Sequence, residues 1–398
     1  RDPADEAGRL VTGSPSHLLE VNHYLFGGRR DFSEPFRALV AGGGTGDGAI
    51  MLAQQLADLG SPAEVVYIDV ADASRAVAEA RAKARGLANV DFRNMSILDL
   101  EGSNLGKFDY IDCCGVLHHL EDPKAGLAAL AGMLAEGGGM GAMVYGELGR
   151  IGVYHMQAMM GMLDDGGGLA AQASLARRLC EKLPKTNWFR RNPFVADHLS
   201  GGDAGLVDLF LHARDRAYRV GEIAGLAAAC GLTVAAFIEP ARYAPESYLN
   251  DAKLLALVKD KPWLERCAFA ELLAGNMRTH VFYLAKSENP IPPPPRPDDP
   301  RVVPCLRDAE DRALAEKTGP GGALSATIDG FEFRFAMPPL AAAMISRIDG
   351  KRRLGDIHRE LAEANPELDW DAFAGQFAQL YAGLNGLGKL LLRYPWDG

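Results

Sequence analysis

No Cys-x-x-Cys pair occurs in this sequence. The six cysteines, Cys113, Cys114, Cys180, Cys230, Cys267 and Cys305, are scattered. That spacing argues against a zinc knuckle or dithiol redox centre, and reduced thiols of a cytoplasmic protein are expected. The nine histidines are as dispersed. Only His118 and His119 adjoin, and neighbouring side chains point in different directions, so no metal site is expected. Positive charge is in deficit: 42 Lys+Arg against 52 Asp+Glu gives a net charge of −10. Such a chain does not attract a phosphate backbone, so nucleic acid is disfavoured as a partner. No uncharged apolar run reaches the roughly 18 residues of a membrane span, so no membrane partner is expected. No signal peptide opens the sequence, and Arg1-Asp2-Pro3 looks like a trimmed start.

What remains is an ordinary globular composition, 48% hydrophobic and 24% charged over 398 residues. At about 150 residues per domain the length allows two or three domains. Proline marks the boundary. Eight of the 23 prolines fall between Ser287 and Pro304. Proline fixes φ and removes a donor, so residues 288–304 should form a semi-rigid polyproline spacer. It divides a domain at 1–287 from one at 305–398.

Before the spacer, strands and helices alternate. Strands are expected at Arg37–Gly43, Glu64–Val70, Val90–Ser96, Phe108–Cys114, Gly139–Tyr145, Leu232–Ile238 and Thr279–Lys286. Helices between them are expected over 48–60, from an N-cap at Ser74 to Gly86, from Pro123 to Glu136, and over 221–230. A helical insert fills about 150–220. Alternation of this kind means a doubly wound α/β sheet with helices on both faces.

The first strand runs into Gly42-Gly43-Gly44-Thr45-Gly46 and then a helix, and the second strand ends in Asp69. Glycines at such a turn let the backbone approach a ligand, and the carboxylate can accept from both hydroxyls of a ribose. The pattern implies an adenosine-containing cofactor. A dinucleotide loop of the Gly-x-Gly-x-x-Gly form is a weaker fit to this spacing.

The run Leu39–Gly46, Tyr67-Ile68-Asp69, Ser96–Leu100 and Phe108-Asp109-Tyr110-Ile111-Asp112-Cys113-Cys114-Gly115-Val116-Leu117-His118-His119-Leu120 resembles the class I S-adenosylmethionine-dependent methyltransferases over about 20–287. The resemblance implies a Rossmann-like, seven-stranded, mostly parallel sheet whose last strand is antiparallel. It implies S-adenosyl-L-methionine as cofactor, with Gly42, Gly44 and Gly46 under its methionine and ribose, and Asp69 on the ribose. Val70 and Ile97 would pack on adenine, Ser96 would meet its amine, and Cys113 and Gly115 would pass the methyl donor. The family often carries an acid two residues before the first glycine. Val40 stands there, so the methionine amine must be met elsewhere, by backbone near Cys113 or by the N-terminal segment.

Methyl transfer is an in-line displacement in which the enzyme positions the acceptor and removes a proton where needed. Candidates for that work are Tyr24 in the segment 22–32, His212 and Asp215 in the segment 208–218, and Tyr145 at the end of the fifth strand. His118 and His119 read as structural. The acceptor would be a protein or peptide side chain or a small metabolite, and a homodimer is allowed. Two other readings are a nicotinamide-dependent oxidoreductase and a non-catalytic cofactor-binding protein. The run Lys185–Arg191 reads as a solvated helix end.

Beyond residue 304, alternation around Asp329-Gly330 signals a hairpin. Helices are expected over Pro338–Ile348, Leu354–Ala364 and Trp370–Leu384, and a closing strand over Leu387–Leu392. The segment 345–357 resembles small winged-helix-like domains, implying an α+β accessory domain. Residues 323–398 hold eight Lys+Arg and ten Asp+Glu, so protein contact is favoured there over DNA reading.

Overall fold

The computed structural model describes residue 6 and residues 13–163, 166–195, 202–211, 215–313 and 322–396. Seven strands form one sheet: β1 (Phe36–Ala41), β2 (Ala63–Asp69), β3 (Val90–Asn94), β4 (Phe108–Cys114), β5 (Leu134–Tyr145), β6 (Leu232–Phe237) and β7 (Thr279–Lys286). Their order is β3-β2-β1-β4-β5-β7-β6, with β7 antiparallel to both neighbours and the others parallel. Strand order reverses between β1 and β4, which opens a crevice at the carboxyl ends of those strands. The central strands are buried on both faces, and this is why they read as continuous apolar runs.

Helix α1 (Leu18–Leu25) lies ahead of β1, α2 (Asp47–Asp58) follows it, and α3 (Asp72–Ala84) follows β2. Ser74 is inside α3 rather than at its cap, because Asp69 accepts the Ala71 N–H at 2.8 Å and starts the helix earlier. Helix α4 (Pro123–Met133) ends three residues short of Glu136, and β5 begins at Leu134. The Gly137–Gly139 run is thus inside the strand, where the register with β4 shifts. The insert supplies α5 (Val153–Leu163), α6 (Leu169–Lys182), α7 (Trp188–Arg191) and α8 (Gly202–Phe210), which share a separate apolar core. Helix α9 (Val220–Ala229) leads into β6, and α10 (Ala252–Val258) and α11 (Trp263–Ala274) precede β7.

The C-terminal unit contains β8 (Val303–Leu306), β9 (Ala323–Ile328), β10 (Phe331–Ala336), α12 (Ala341–Arg347), α13 (Leu354–Ala364), α14 (Trp370–Gly386) and β11 (Leu390–Arg393). Strands β9 and β10 form the expected hairpin, with Asp329 and Gly330 both at positive φ, as an Asp-Gly turn requires. The closing strand starts three residues late, because α14 continues to Gly386 and Gly388 at φ +68 makes the turn. It pairs with β8, so Val303 and Pro304 belong to a strand and not to the spacer.

The proline run does not hold the two units apart. It lies against Gly27 and Gly28, where a Cβ on Gly28 would stand 2.5 Å from Pro295 and 2.8 Å from the Arg393 backbone. Leu391 joins the core formed by α1, β1 and α2. His23 of α1 is fully buried at this seam, its Nδ1 2.9 Å from the Leu392 carbonyl oxygen and its Nε2 3.0 Å from the Tyr381 hydroxyl. No helix among the described residues is long and apolar enough to cross a membrane.

Candidate functional site

The crevice at the β1–β4 switch point is two connected cavities that meet at Gly42 and Gly115. One, about 440 Å³, is lined by Asp69, Val70, Met95, Ser96, Ile97, Val116, His119 and Leu120. The other, about 460 Å³, is lined by Gly13, Ser14, Ser16, Val40, Gly43, Gly44, Asp47, Gly48, Met51, Asp112 and Cys114 among others. A larger hollow of about 750 Å³ lies away from the glycine turn, walled mainly by small and aliphatic residues of 98–106 and α4.

The first cavity has the chemistry of a nucleoside site. Asp69 ends β2 and ties down the glycine turn, accepting the Gly44 N–H at 2.8 Å. The Tyr67 hydroxyl donates to the Gly44 carbonyl at 2.6 Å and fixes the same loop from below. Each Asp69 oxygen carries one protein hydrogen bond here and keeps a second acceptor direction for a ligand hydroxyl. Val70 is 68% exposed, which makes it an apolar surface waiting on this rim. The Ser96 oxygen accepts the Leu98 N–H at 3.2 Å and caps the turn that presents Ile97 to the cavity.

Two of the residues expected here are elsewhere. Gly46 does not line either cavity; its backbone packs on α3, where a Cβ would come within 2.7 Å of Ala78. Cys113 is fully buried in the sheet core, and strand alternation turns the next residue, Cys114, to the cavity instead.

The second cavity has a carboxylate that sequence reasoning missed. Asp112 is almost fully buried. Its Oδ1 accepts the Cys114 N–H at 3.1 Å and its Oδ2 accepts from the Ser16 hydroxyl. Burial pushes its carboxyl up to about 6. Ser16 comes from the segment 13–16, which folds over the cleft because the hydroxyls of Tyr110 and Tyr283 donate to the Pro15 carbonyl at 2.7 and 2.9 Å. An N-terminal segment therefore does cover the site, but it is 13–16 and not 22–32. Asp47 also lines this cavity and pairs with Arg81 at 2.8 Å.

Of the catalytic candidates, Tyr24 is not at the cleft. It is buried under β7 and the C-terminal unit, stacked on Tyr283, with the Asn385 amide donating to its hydroxyl at 3.3 Å. His212 lies outside the described residues. The Asp215 side chain is fully buried and already paired: Arg150 donates to it at 2.9 Å and Gln157 at 3.1 Å, so it holds other groups in place. Tyr145 lines neither cavity, but its ring lies 5.8 Å on centroids from that of His119, which lines the first. The Arg150 guanidinium sits 3.7 Å over the Tyr145 ring, and the His118 ring is 4.0 Å away on centroids. His119, read from sequence as structural, lines the nucleoside cavity beside Gly115. The segment 215–218 crosses these strand ends, with Arg216 N–H on the His118 carbonyl and Tyr218 N–H on the Tyr145 carbonyl. Among the described residues no group of three or more His, Cys, Asp or Glu side chains is placed to hold a metal.

Residues 39–140 match the family model described as a methyltransferase domain. An uncharacterized protein of Synechococcus sp. is 32% identical over 265 residues, covering 64% of this chain and 61% of its own length. The ubiquinone biosynthesis O-methyltransferase of Xanthomonas axonopodis is 37% identical over 105 residues, 26% of this chain and 42% of that protein. The chain thus spans less than two thirds of either relative. The solved structure of PKMT2 from Rickettsia typhi superposes with a TM-score of 0.69 at 16% identity, over 95% of this chain and 75% of that one, and PKMT2 was also solved with AdoHcy. At that identity the likeness is one of fold, and it extends through the C-terminal unit.

Proposed function

We propose, on the premise that this chain carries a class I, S-adenosylmethionine-dependent methyltransferase domain, that it transfers a methyl group to an acceptor entering beside Tyr145 and His119. The observation that carries this reading is the two-part cleft, with a nucleoside half closed by Asp69 and a second half walled by Asp47 and Asp112. Two carboxylates beside the glycine turn would repel the diphosphate of a nicotinamide dinucleotide and suit a cationic group. The residues therefore fit S-adenosylmethionine better than NAD(P).

Bound in this cleft, S-adenosylmethionine supplies a methyl already activated on a sulfonium, so the protein's work is placement. Gly42, Gly44 and Gly115 let backbone pass close to the ligand, while Asp69, Ser96 and Ile97 orient its nucleoside end. The segment 13–16 excludes water from the other end. On the acceptor side, the Arg150 guanidinium, paired with Asp215, packs over the Tyr145 ring, and His119, which lines the nucleoside cavity, is the group placed to face a proton on the acceptor. The acceptor is a protein or peptide side chain or a small metabolite; the match to the ubiquinone enzyme is too short to span the insert and the C-terminal unit, so its acceptor does not transfer.

Calorimetry with S-adenosylhomocysteine tests the cofactor. Absence of binding up to millimolar concentration, or thermal stabilisation by NAD(P) instead, would overturn the reading. Incubating an extract with tritiated cofactor then asks whether label enters protein or small molecules. Binding with no transfer to either would leave a non-catalytic cofactor-binding protein.

A further inference from the structure

Val40 occupies the position where an acid would meet the cofactor's methionine amine, yet the cavity around it is not without charge. In the parallel ladder of β1 and β4, Val40 is the register partner of Asp112. The two residues line the same cavity. An acidic side chain has moved one strand sideways while staying at the same depth along the sheet.

Resting on the cofactor reading above, we infer that Asp112 is the carboxylate that holds the ammonium group of the methionine moiety, with Ser16 as its orienting partner. The carboxylate reaches toward the start of α2, since a Cβ built on Gly48 would stand 3.3 Å from Asp112 Oδ2 and 3.1 Å from the Ser16 hydroxyl. Its two protein donors, the Ser16 hydroxyl and the Cys114 N–H, occupy one direction on each oxygen, and a carboxylate can accept about four hydrogen bonds. Asp47 is the weaker claimant. Its side chain is 57% exposed and paired with Arg81, so water and a guanidinium already satisfy it. Asp112 is almost fully buried and forms no ion pair with a cation among the described residues, and an ammonium ligand is a partner that would neutralise it.

The test is a binding cycle on the full chain with two ligands, S-adenosylhomocysteine and its deamino analogue. The wild type should prefer the amine-bearing ligand by roughly tenfold to a hundredfold, the range of a charge-assisted hydrogen bond. Asp112→Asn should lose that preference while keeping its affinity for the deamino analogue. Asp112→Ser serves as second variant should the first fail to fold, which a melting curve reveals. Equal binding of the two ligands by the wild type would overturn the assignment, as would a preference that survives in Asp112→Asn. A preference lost in Asp47→Asn and kept in Asp112→Asn would also overturn it. Failure of the wild type to bind either ligand would instead sink the cofactor reading itself.

Discussion

The nucleoside half of the cleft and the proposed acceptor wall beside it are built by different means. The nucleoside half is made from strand ends and backbone: a glycine turn after β1, a carboxylate at the end of β2, a capped turn after β3. Each of these parts is local in sequence and lies within 40–120. The proposed acceptor wall, which lines neither cavity, is made from side chains that meet only in the fold. Tyr145, Arg150, Gln157 and Asp215 converge from β5, the turn after it, α5 and the segment after α8, and the Arg150–Asp215 contact spans 65 residues. The C-terminal seam is of the second kind, with His23 meeting Leu392 across 369 positions. A site of the first kind survives loss of one side chain; one of the second kind hangs on its buried pairs.

The strongest way to break that contrast is Asp215→Ala. It leaves the Arg150 guanidinium, which is 7% exposed, buried without its carboxylate. Removal of one partner from a buried pair costs about 3–5 kcal/mol. Chemical denaturation should report that loss, while S-adenosylhomocysteine affinity stays close to wild type. An affinity that collapses in step with stability would mean that the nucleoside half and the acceptor wall are one unit.

Acid should act next most strongly, through the seam. Burial pushes the His23 imidazole down from 6.5 to about 4. The unfolded chain therefore takes up a proton near pH 6.5 that the folded chain refuses until about pH 4. The contribution is fully present above pH 6.5 and is lost as pH falls toward 4, to a limit of about 3 kcal/mol. Urea melts of the wild type and His23→Asn at pH 7.5, 5.5 and 4.5 should converge on the acid side. Parallel pH profiles for the two proteins would remove His23 from the account.

On the cofactor side, Asp69→Ala should weaken S-adenosylhomocysteine binding by about 1–3 kcal/mol, the loss of paired hydroxyl contacts. It should leave the Asp215 network untouched. Unchanged affinity in calorimetry would remove Asp69 from the ribose.

The same contrast explains what the sequence disclosed. Seven strands and the crevice at the glycine turn and Asp69 follow from periodicity and turn residues, and the antiparallel last strand from the family resemblance. Cys113 and Gly46 were misplaced by one step of detail: strand alternation puts Cys114 at the cavity, and helix packing claims Gly46. Asp112 was missed although it lies inside the most diagnostic run of the chain, because its meaning depends on β1 and β4 being in register at Val40. Tyr24 looked available beside His23 and Arg29, and only the docking of the C-terminal unit shows why it is not. Asp215 looked like a base, and Arg150, 65 residues away, makes it a brace. The polyproline run promised separation; what no local signal carried is that Gly27 and Gly28 leave room for it to lie flat.

The smallest expected effect joins the acceptor wall to the C-terminal unit. Asp329, at the tip of the β9–β10 hairpin, accepts from Arg242 at 2.7 Å and from Arg278 at 2.9 Å, and its carbonyl accepts from Asn276 at 2.8 Å. Met277 and Arg278 in turn hold the backbone of Gly149 and Gly146, between Tyr145 and Arg150. The hairpin tip thus braces the acceptor wall from outside. Asp329→Asn removes charge without strain, since Asn tolerates the positive φ found there. It should cost about 1 kcal/mol, because Arg242 keeps Glu239 as a partner. The informative readout is a split: methyl transfer in labelled extract should fall while S-adenosylhomocysteine affinity holds. If both hold, the C-terminal unit is docked on the acceptor side without shaping it.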